Sequence, residues 1–219
     1  IVHLANNSKF KLYEEDLCNL EELKKIFEIE NFEYVFHLAA NSDIQASAQN
    51  PVIEYRNTYT TTFNILECMR LYGVKKMFFA STSAVYGEKP NEFLTETTPD
   101  LRPVSYYGGS KLGSEAIISA FAHMNDFEVL IFRFPNVIGP RLTHGVIFDF
   151  IKKLDHDNTQ LEILGDGTQC KPYIYVTDLV NAIEKYMITD TKGMIIYNLG
   201  VEGATTVTRI ADIICEKMN

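Results

Sequence analysis

Phe78-Phe79-Ala80-Ser81-Thr82-Ser83-Ala84-Val85-Tyr86-Gly87 runs from an apolar stretch straight into neighbouring hydroxyl side chains. Its apolar part belongs to Lys76–Ala80, too short for a buried helix and rich in β-formers, which reads as a strand. Phe10–Tyr13, Tyr34–Leu38, Val129–Phe134 and Tyr173–Val176 read the same way. Between them lie helical patterns over Leu20–Ile29, Val52–Tyr72, Ser105–Met124, Val146–Leu154, Leu179–Met187 and Val207–Met218. Strand and helix alternating in this way predict right-handed βαβ crossovers around a mainly parallel sheet. Prolines mark connections: Pro51 opens a helix, Pro90, Pro99 and Pro103 break up the loop from Glu88 to Val104, and Pro140 closes a strand exit. An open parallel sheet binds ligands beyond the carboxyl ends of its strands, so the hydroxyls after Ala80 stand where chemistry is expected.

Composition narrows the classes. With 219 residues, 46% hydrophobic and 22% charged, the chain suits a single soluble domain, and no stretch approaches a membrane span. The formal charge of −9 and the lack of a dense Lys/Arg block argue against a nucleic-acid partner. Cys18, Cys68, Cys170 and Cys215 form no C-x-x-C pair, so they read as reduced thiols, with no metal site. Ile1–Asn7 lack the pattern of a signal peptide, which makes the cytoplasm the expected compartment.

Tyr106-Tyr107-Gly108-Gly109-Ser110-Lys111 places Tyr107 and Lys111 four apart at the start of a helix, on one face. A tyrosine is a poor base at neutral pH, and a neighbouring ammonium is expected to stabilise its phenolate and lower its pKa. Alone, Y-x-x-x-K also occurs on solvated helix faces, and Ser81 or Ser83 alone also fits a strand followed by a serine turn. The pairing of the two motifs gives each its weight.

Together, Phe79–Gly87 and Ser105–Glu115 resemble the extended short-chain dehydrogenase/reductase family, especially its nucleotide-sugar 4-epimerases. The resemblance implies an α/β, Rossmann-like doubly wound parallel sheet with part of a small substrate-binding region. Residues 1–140 would be a partial NAD-binding domain carrying catalysis. Residues 141–219 would be a mixed segment with substrate-binding elements and a returning strand and helix. It further implies a triad of Thr82, Tyr107 and Lys111, with Ser83 as a substrate contact. Asp16 and Leu17 would meet the adenine end of NAD, and Leu38, Ala39 and Ala40 its pyrophosphate and ribose. Asn57 would lie near the cofactor, Pro135 beside the nicotinamide, and Asn136 and Lys171 against the diphosphate of the nucleotide sugar. Lys171 departs from the family's arginine and loses its bidentate fork.

The family's first strand and G-x-x-G-x-x-G turn, which hold the pyrophosphate, do not occur in Ile1–Tyr13. A fragment of a longer protein is therefore expected. The resemblance implies NAD-dependent epimerisation at C4 of a sugar of the UDP-glucose/UDP-galactose type, through a 4-keto intermediate. Dehydratases of the family carry an acid and a base after the triad threonine, where this chain has Ser83 and Ala84. Decarboxylases carry a glutamate where it has Ala84. A dehydratase, decarboxylase or reductase, or for this chain alone a non-catalytic binding fragment, is the alternative. Broad apolar faces on Val52–Tyr72 and Ser105–Met124 imply a homodimer.

Overall fold

The structure, a computed structural model, describes residues 4, 6–41, 44–89, 92–187 and 192–218. Pro90, expected to break a loop, lies outside the described residues. The chain forms two compact units, Ile1–Ile131 with Thr191–Ile195, and Phe132–Asp190 with Ile196–Asn219.

In the first unit the elements in chain order are α1 (Leu20–Ile29), β1 (Tyr34–His37), α2 (Ile44–Gln49) and α3 (Val52–Glu54). A π-helical stretch (Tyr55–Thr60), α4 (Thr61–Tyr72), β2 (Lys76–Thr82), a 3₁₀ turn (Ser83–Tyr86) and α5 (Tyr106–Asn125) follow. The chain then enters β3 (Glu128–Phe134), which runs into the second unit. Asn19 caps α1 by accepting the Glu22 N–H, and Leu23 and Phe27, four apart, form its buried stripe. The strands lie in the order β1-β2-β3-β7, β7 being Met194–Asn198. β1 runs parallel to β2, in register from Tyr34 opposite Lys76 to His37 opposite Phe79. Met77, Phe78 and Phe79 are all fully buried, as are Val129 and Ile131. Consecutive buried residues mean that both faces of these strands are covered, the signature of a parallel sheet between helical layers.

The second unit contains β4 (Asn136–Ile138), α6 (Val146–His156), β5 (Cys170–Lys171), β6 (Tyr173–Tyr175), α7 (Val176–Met187), β8 (Thr205–Thr206) and α8 (Val207–Met218). β4 pairs parallel with β6, and β5 antiparallel with β8. Phe150 and Leu154 of α6 pack on Ile210, Ala211 and Ile214 of α8.

Three expectations need correction. Phe10–Tyr13 forms no strand. Apolar and polar residues alternate there, but a strand needs a ladder partner; instead Tyr13 donates from its hydroxyl to Glu30 at 2.6 Å, and Lys11 pairs with the same carboxylate. The helix expected over Val52–Tyr72 is interrupted by the wide turn at Tyr55–Thr60. Thr60 Oγ1 donates to the Tyr55 carbonyl at 3.0 Å, and Thr61 Oγ1 to the Asn57 and Thr58 carbonyls, so threonine hydroxyls serve the backbone oxygens there. The strand starting at Tyr173 stops at Tyr175, and α7 begins at Val176, ahead of Leu179.

Candidate active site

The site is assembled at the carboxyl end of β2. Thr82, its last residue, caps the 3₁₀ turn by accepting the Ala84 N–H at 3.2 Å. Gly87 follows at φ 72°, where a Cβ would lie 1.9 Å from the Arg102 carbonyl oxygen. Only glycine lets these two backbones meet in the bridge between them. Ser105 then caps α5, accepting the Gly108 N–H at 3.0 Å. At Gly108 a Cβ would stand 2.7 Å from the Ala84 oxygen, so the glycine lets α5 seat directly on the 3₁₀ turn. Tyr107 and Lys111, one helical turn apart, are thereby delivered to Thr82.

Lys111 is 2% exposed. Its ammonium donates to the Ala80 carbonyl at 2.6 Å and stands 4.7 Å from the centre of the Phe79 ring. Burial pushes its pKa down to about 8, against the charges of Glu54 and Glu115, which pull it up. Tyr107 is half-buried, and burial raises its phenol above the ordinary value; a hydrogen bond with Thr82 works the other way, and the charge of Glu54 adds to the rise. The expected lowering of Tyr107 by Lys111 is thus not what the site shows. The ammonium is committed to Ala80, and the charge that reaches the phenol is that of Glu54.

Around the pair lies a buried polar layer that motif reading missed. Glu54, 1% exposed, accepts from Asn41 Nδ2 at 2.7 Å and from Thr58 Oγ1 at 2.7 Å. Asn41 also donates its backbone N–H to Thr58 Oγ1 at 3.2 Å. His37 Nε2 meets Thr62 Oγ1 at 3.0 Å, and burial together with Lys111 lowers this imidazole to about 3, so it is neutral. Ser81 donates to Glu115. A signal was present: Glu115 continues the four-residue spacing of Tyr107 and Lys111, and Glu54, Thr58 and Thr62 repeat that spacing.

The remaining expected residues are placed as follows. Asp16 is exposed, accepts the Cys18 N–H at 2.9 Å and pairs with Arg56 at 3.0 Å; the Cys18 donors, first its N–H, hold its carboxyl below the usual range, with Arg56 adding to them. The Leu17 carbonyl receives Asn64 Nδ2 at 2.9 Å. Leu38 is exposed, and Ala39 and Ala40 half-buried, directly after β1. Ser83 is exposed beside Thr82. Asn57 faces outward from the π-helical stretch, and its neighbour Thr58 is the residue turned inward. Pro135, Asn136 and Lys171 belong to the second unit. There Asn136 donates from Nδ2 to the Pro172 carbonyl at 3.5 Å, and Lys171 stands exposed in β5 opposite Thr205.

A cleft of about 920 Å³ borders a different face of α5, lined by Ile44, Tyr55, Tyr59, Val104 and Tyr106 among others, and by none of Thr82, Tyr107 or Lys111. Among the described residues no cluster of His, Cys, Asp and Glu could hold a metal ion, and no helix is long and apolar enough to cross a membrane.

Hydroxyl, phenol and ammonium are thus gathered at one strand end of a parallel sheet of Rossmann type. The sequence model of the NAD dependent epimerase/dehydratase family matches residues 2–200, and the chain belongs to that family. It is 34% identical over 177 residues to the UDP-glucuronate 4-epimerase of Thermodesulfobacterium geofontis, covering 80% of this chain and 54% of that protein. A putative UDP-glucose 4-epimerase of Methanocaldococcus jannaschii is 35% identical over 199 residues, covering 89% of this chain and 64% of its own. The chain therefore spans between half and two-thirds of these relatives' length. The crystal structure of UDP-glucose 4-epimerase with UDP-glucose from Thermotoga maritima superposes with a TM-score of 0.86 at 30% identity, covering 96% of this chain and 72% of that one.

Proposed function

We propose that the protein to which this chain belongs is an NAD-dependent nucleotide-sugar 4-epimerase of the UDP-glucose/UDP-galactose type, working in the cytoplasm. The observation that carries this reading is the meeting of Thr82, Tyr107 and Lys111 at the carboxyl end of β2, with Ala84 packed beneath Gly108. The donor set suits the cofactor. Lys111 spends one of its three N–H groups on Ala80, which leaves two for ribose hydroxyls. Asp16, Leu17, Leu38, Ala39, Ala40 and Pro135 would line the rest of it, and residues 1–140 would form the cofactor-binding and catalytic part. Asn57, exposed on the π-helical stretch, would lie near the cofactor as well.

NAD, when bound, supplies a reversible two-electron oxidant and a positive charge that favours the phenolate. Tyr107 removes the 4-hydroxyl proton of the sugar, with Thr82 in the hydrogen-bonded relay. Lys111, held to the Ala80 carbonyl, would bind the ribose with its remaining N–H groups, and the positive charge that favours the ionised phenol would come with the cofactor. Oxidation at C4 would remove a hydride along with that proton; after the 4-keto sugar has turned over, Tyr107 would return the proton to the oxygen as the same hydride comes back to C4 on its other face. Ser83, Asn136 and Lys171 would hold the nucleotide sugar, Lys171 from within residues 141–219. Ser83 and Ala84 offer neither the acid nor the base that expulsion of water needs, so the dehydratase alternative lacks its chemistry.

A homodimer through α4 and α5 accompanies this reading. Val52, Tyr55, Phe63, Tyr106 and Met124 are large apolar side chains left exposed on the two helical segments and beside them. Light scattering of the full-length protein tests it, and a monomer rejects it. The activity is tested by incubating that protein with NAD and UDP-glucose, and in parallel with UDP-glucuronate, the sugar named for the 34% identical relative. Appearance of the C4 epimer supports the proposal; a wild-type protein that converts neither sugar rejects it.

A further inference from the structure

Glu54 is a carboxylate buried in the middle of the first unit, on the helix that faces α5. Desolvating a carboxylate is costly, and it is normally offset by a cation in contact. Here the donors that hold it are neutral, Asn41 Nδ2 and Thr58 Oγ1, both at 2.7 Å, while the nearby ammonium of Lys111 donates to Ala80. Thr58 completes a closed triangle by accepting the Asn41 N–H at 3.2 Å. Asn41 is thus held by both its backbone and its side chain, immediately after Leu38, Ala39 and Ala40 at the carboxyl end of β1.

We propose that Glu54 is a positioning residue for the cofactor: with Thr58 it anchors the Leu38–Asn41 segment, and its negative charge biases the site toward the oxidised, cationic nicotinamide. This rests on the epimerase reading above. The charge is felt where the reaction would occur, since it raises the pKa of both Lys111 and Tyr107. The groups that share its surroundings are Lys111, Tyr107 and Glu115 on α5, and His37, kept neutral, on β1. A carboxylate here stabilises an ammonium and a pyridinium alike, and it opposes a free phenolate. Tyr107 would then ionise only when the cationic cofactor is in place, which couples proton removal to a loaded site.

The two parts of the proposal are separable in the full-length protein by measuring dissociation constants for NAD and NADH. Glu54→Gln keeps the shape but removes the charge, and should weaken NAD about tenfold while changing NADH by no more than about twofold. Thr58→Val keeps the charge but opens the triangle, and should weaken both forms alike. Thr58→Ser should restore wild-type affinity. The acidic limb of the turnover profile should also move down by roughly one pH unit in Glu54→Gln, because Tyr107 loses the charge that raises it. Folded variants with unchanged affinities overturn the anchor, and a Glu54→Gln protein that weakens NAD and NADH equally overturns the charge bias. A wild-type protein that binds neither form overturns the epimerase reading itself, a result distinct from both.

Discussion

Two helical ladders meet in the first unit, and they were not equally readable. On α5, Tyr107, Lys111 and Glu115 recur every four residues on a regular helix. On the opposing segment Glu54, Thr58 and Thr62 recur at the same spacing, across a π-helical stretch. The first ladder carries the candidate catalytic pair and rests on a glycine contact that seats it beside β2. The second carries Glu54, whose charge acts on Tyr107 and Lys111. In the proposed reading, reacting groups lie on one helix and a charge that biases them on the other.

The largest separation between them should be in turnover. Tyr107→Phe removes the proton acceptor and should cost roughly 10²–10⁴-fold in kcat, whereas Thr62→Val, which loses its contact with His37, should stay within about tenfold. Steady-state assays of the two variants side by side check this, and equal losses would erase the distinction.

A smaller difference should appear in stability against pH. Lys111 titrates at about 8 in the folded chain, against 10.5 as the unperturbed value. Between these values the unfolded state binds the extra proton, so unfolding free energy rises with pH across that window, by roughly 3 kcal/mol at most. Comparing urea unfolding of wild type and Lys111→Met from pH 8 to pH 10.5 isolates the contribution, since the variant should lack this rise.

Packing comes next. Gly108→Ala forces a methyl against the Ala84 carbonyl, and should destabilise the protein by roughly 1–3 kcal/mol in urea while reducing activity. The smallest effect belongs to the segment that carries the second ladder: Thr60→Val removes the hydroxyl bonded to the Tyr55 carbonyl, and should cost about 1 kcal/mol or less. A larger loss there would mean that the wide turn depends on that hydroxyl more than on the packing around it.

Much of the candidate site was legible because its signals are local. The hydroxyls after an apolar strand and the Y-x-x-x-K helix start both name their positions without reference to any distant residue. Expectations that depended on a partner fared less well. Phe10–Tyr13 has the alternation of a strand but no ladder forms on it, and its side chains turn to Glu30 instead. The inward turn of Thr58, beside the exposed Asn57, was likewise set by the π-helical stretch and not by any local motif.

The alternation of strands and helices, the candidate site at the end of β2 and the four-residue spacing of Tyr107 and Lys111 were determined by the sequence alone, because periodicity and turn chemistry act over a few residues. Only the tertiary structure decided the charge states. Tyr107 is raised and Lys111 lowered because burial strips both of water, and Glu54 acts on them from a segment about fifty positions away in the chain. Desolvation depends on everything packed around a group, which no short stretch of sequence contains.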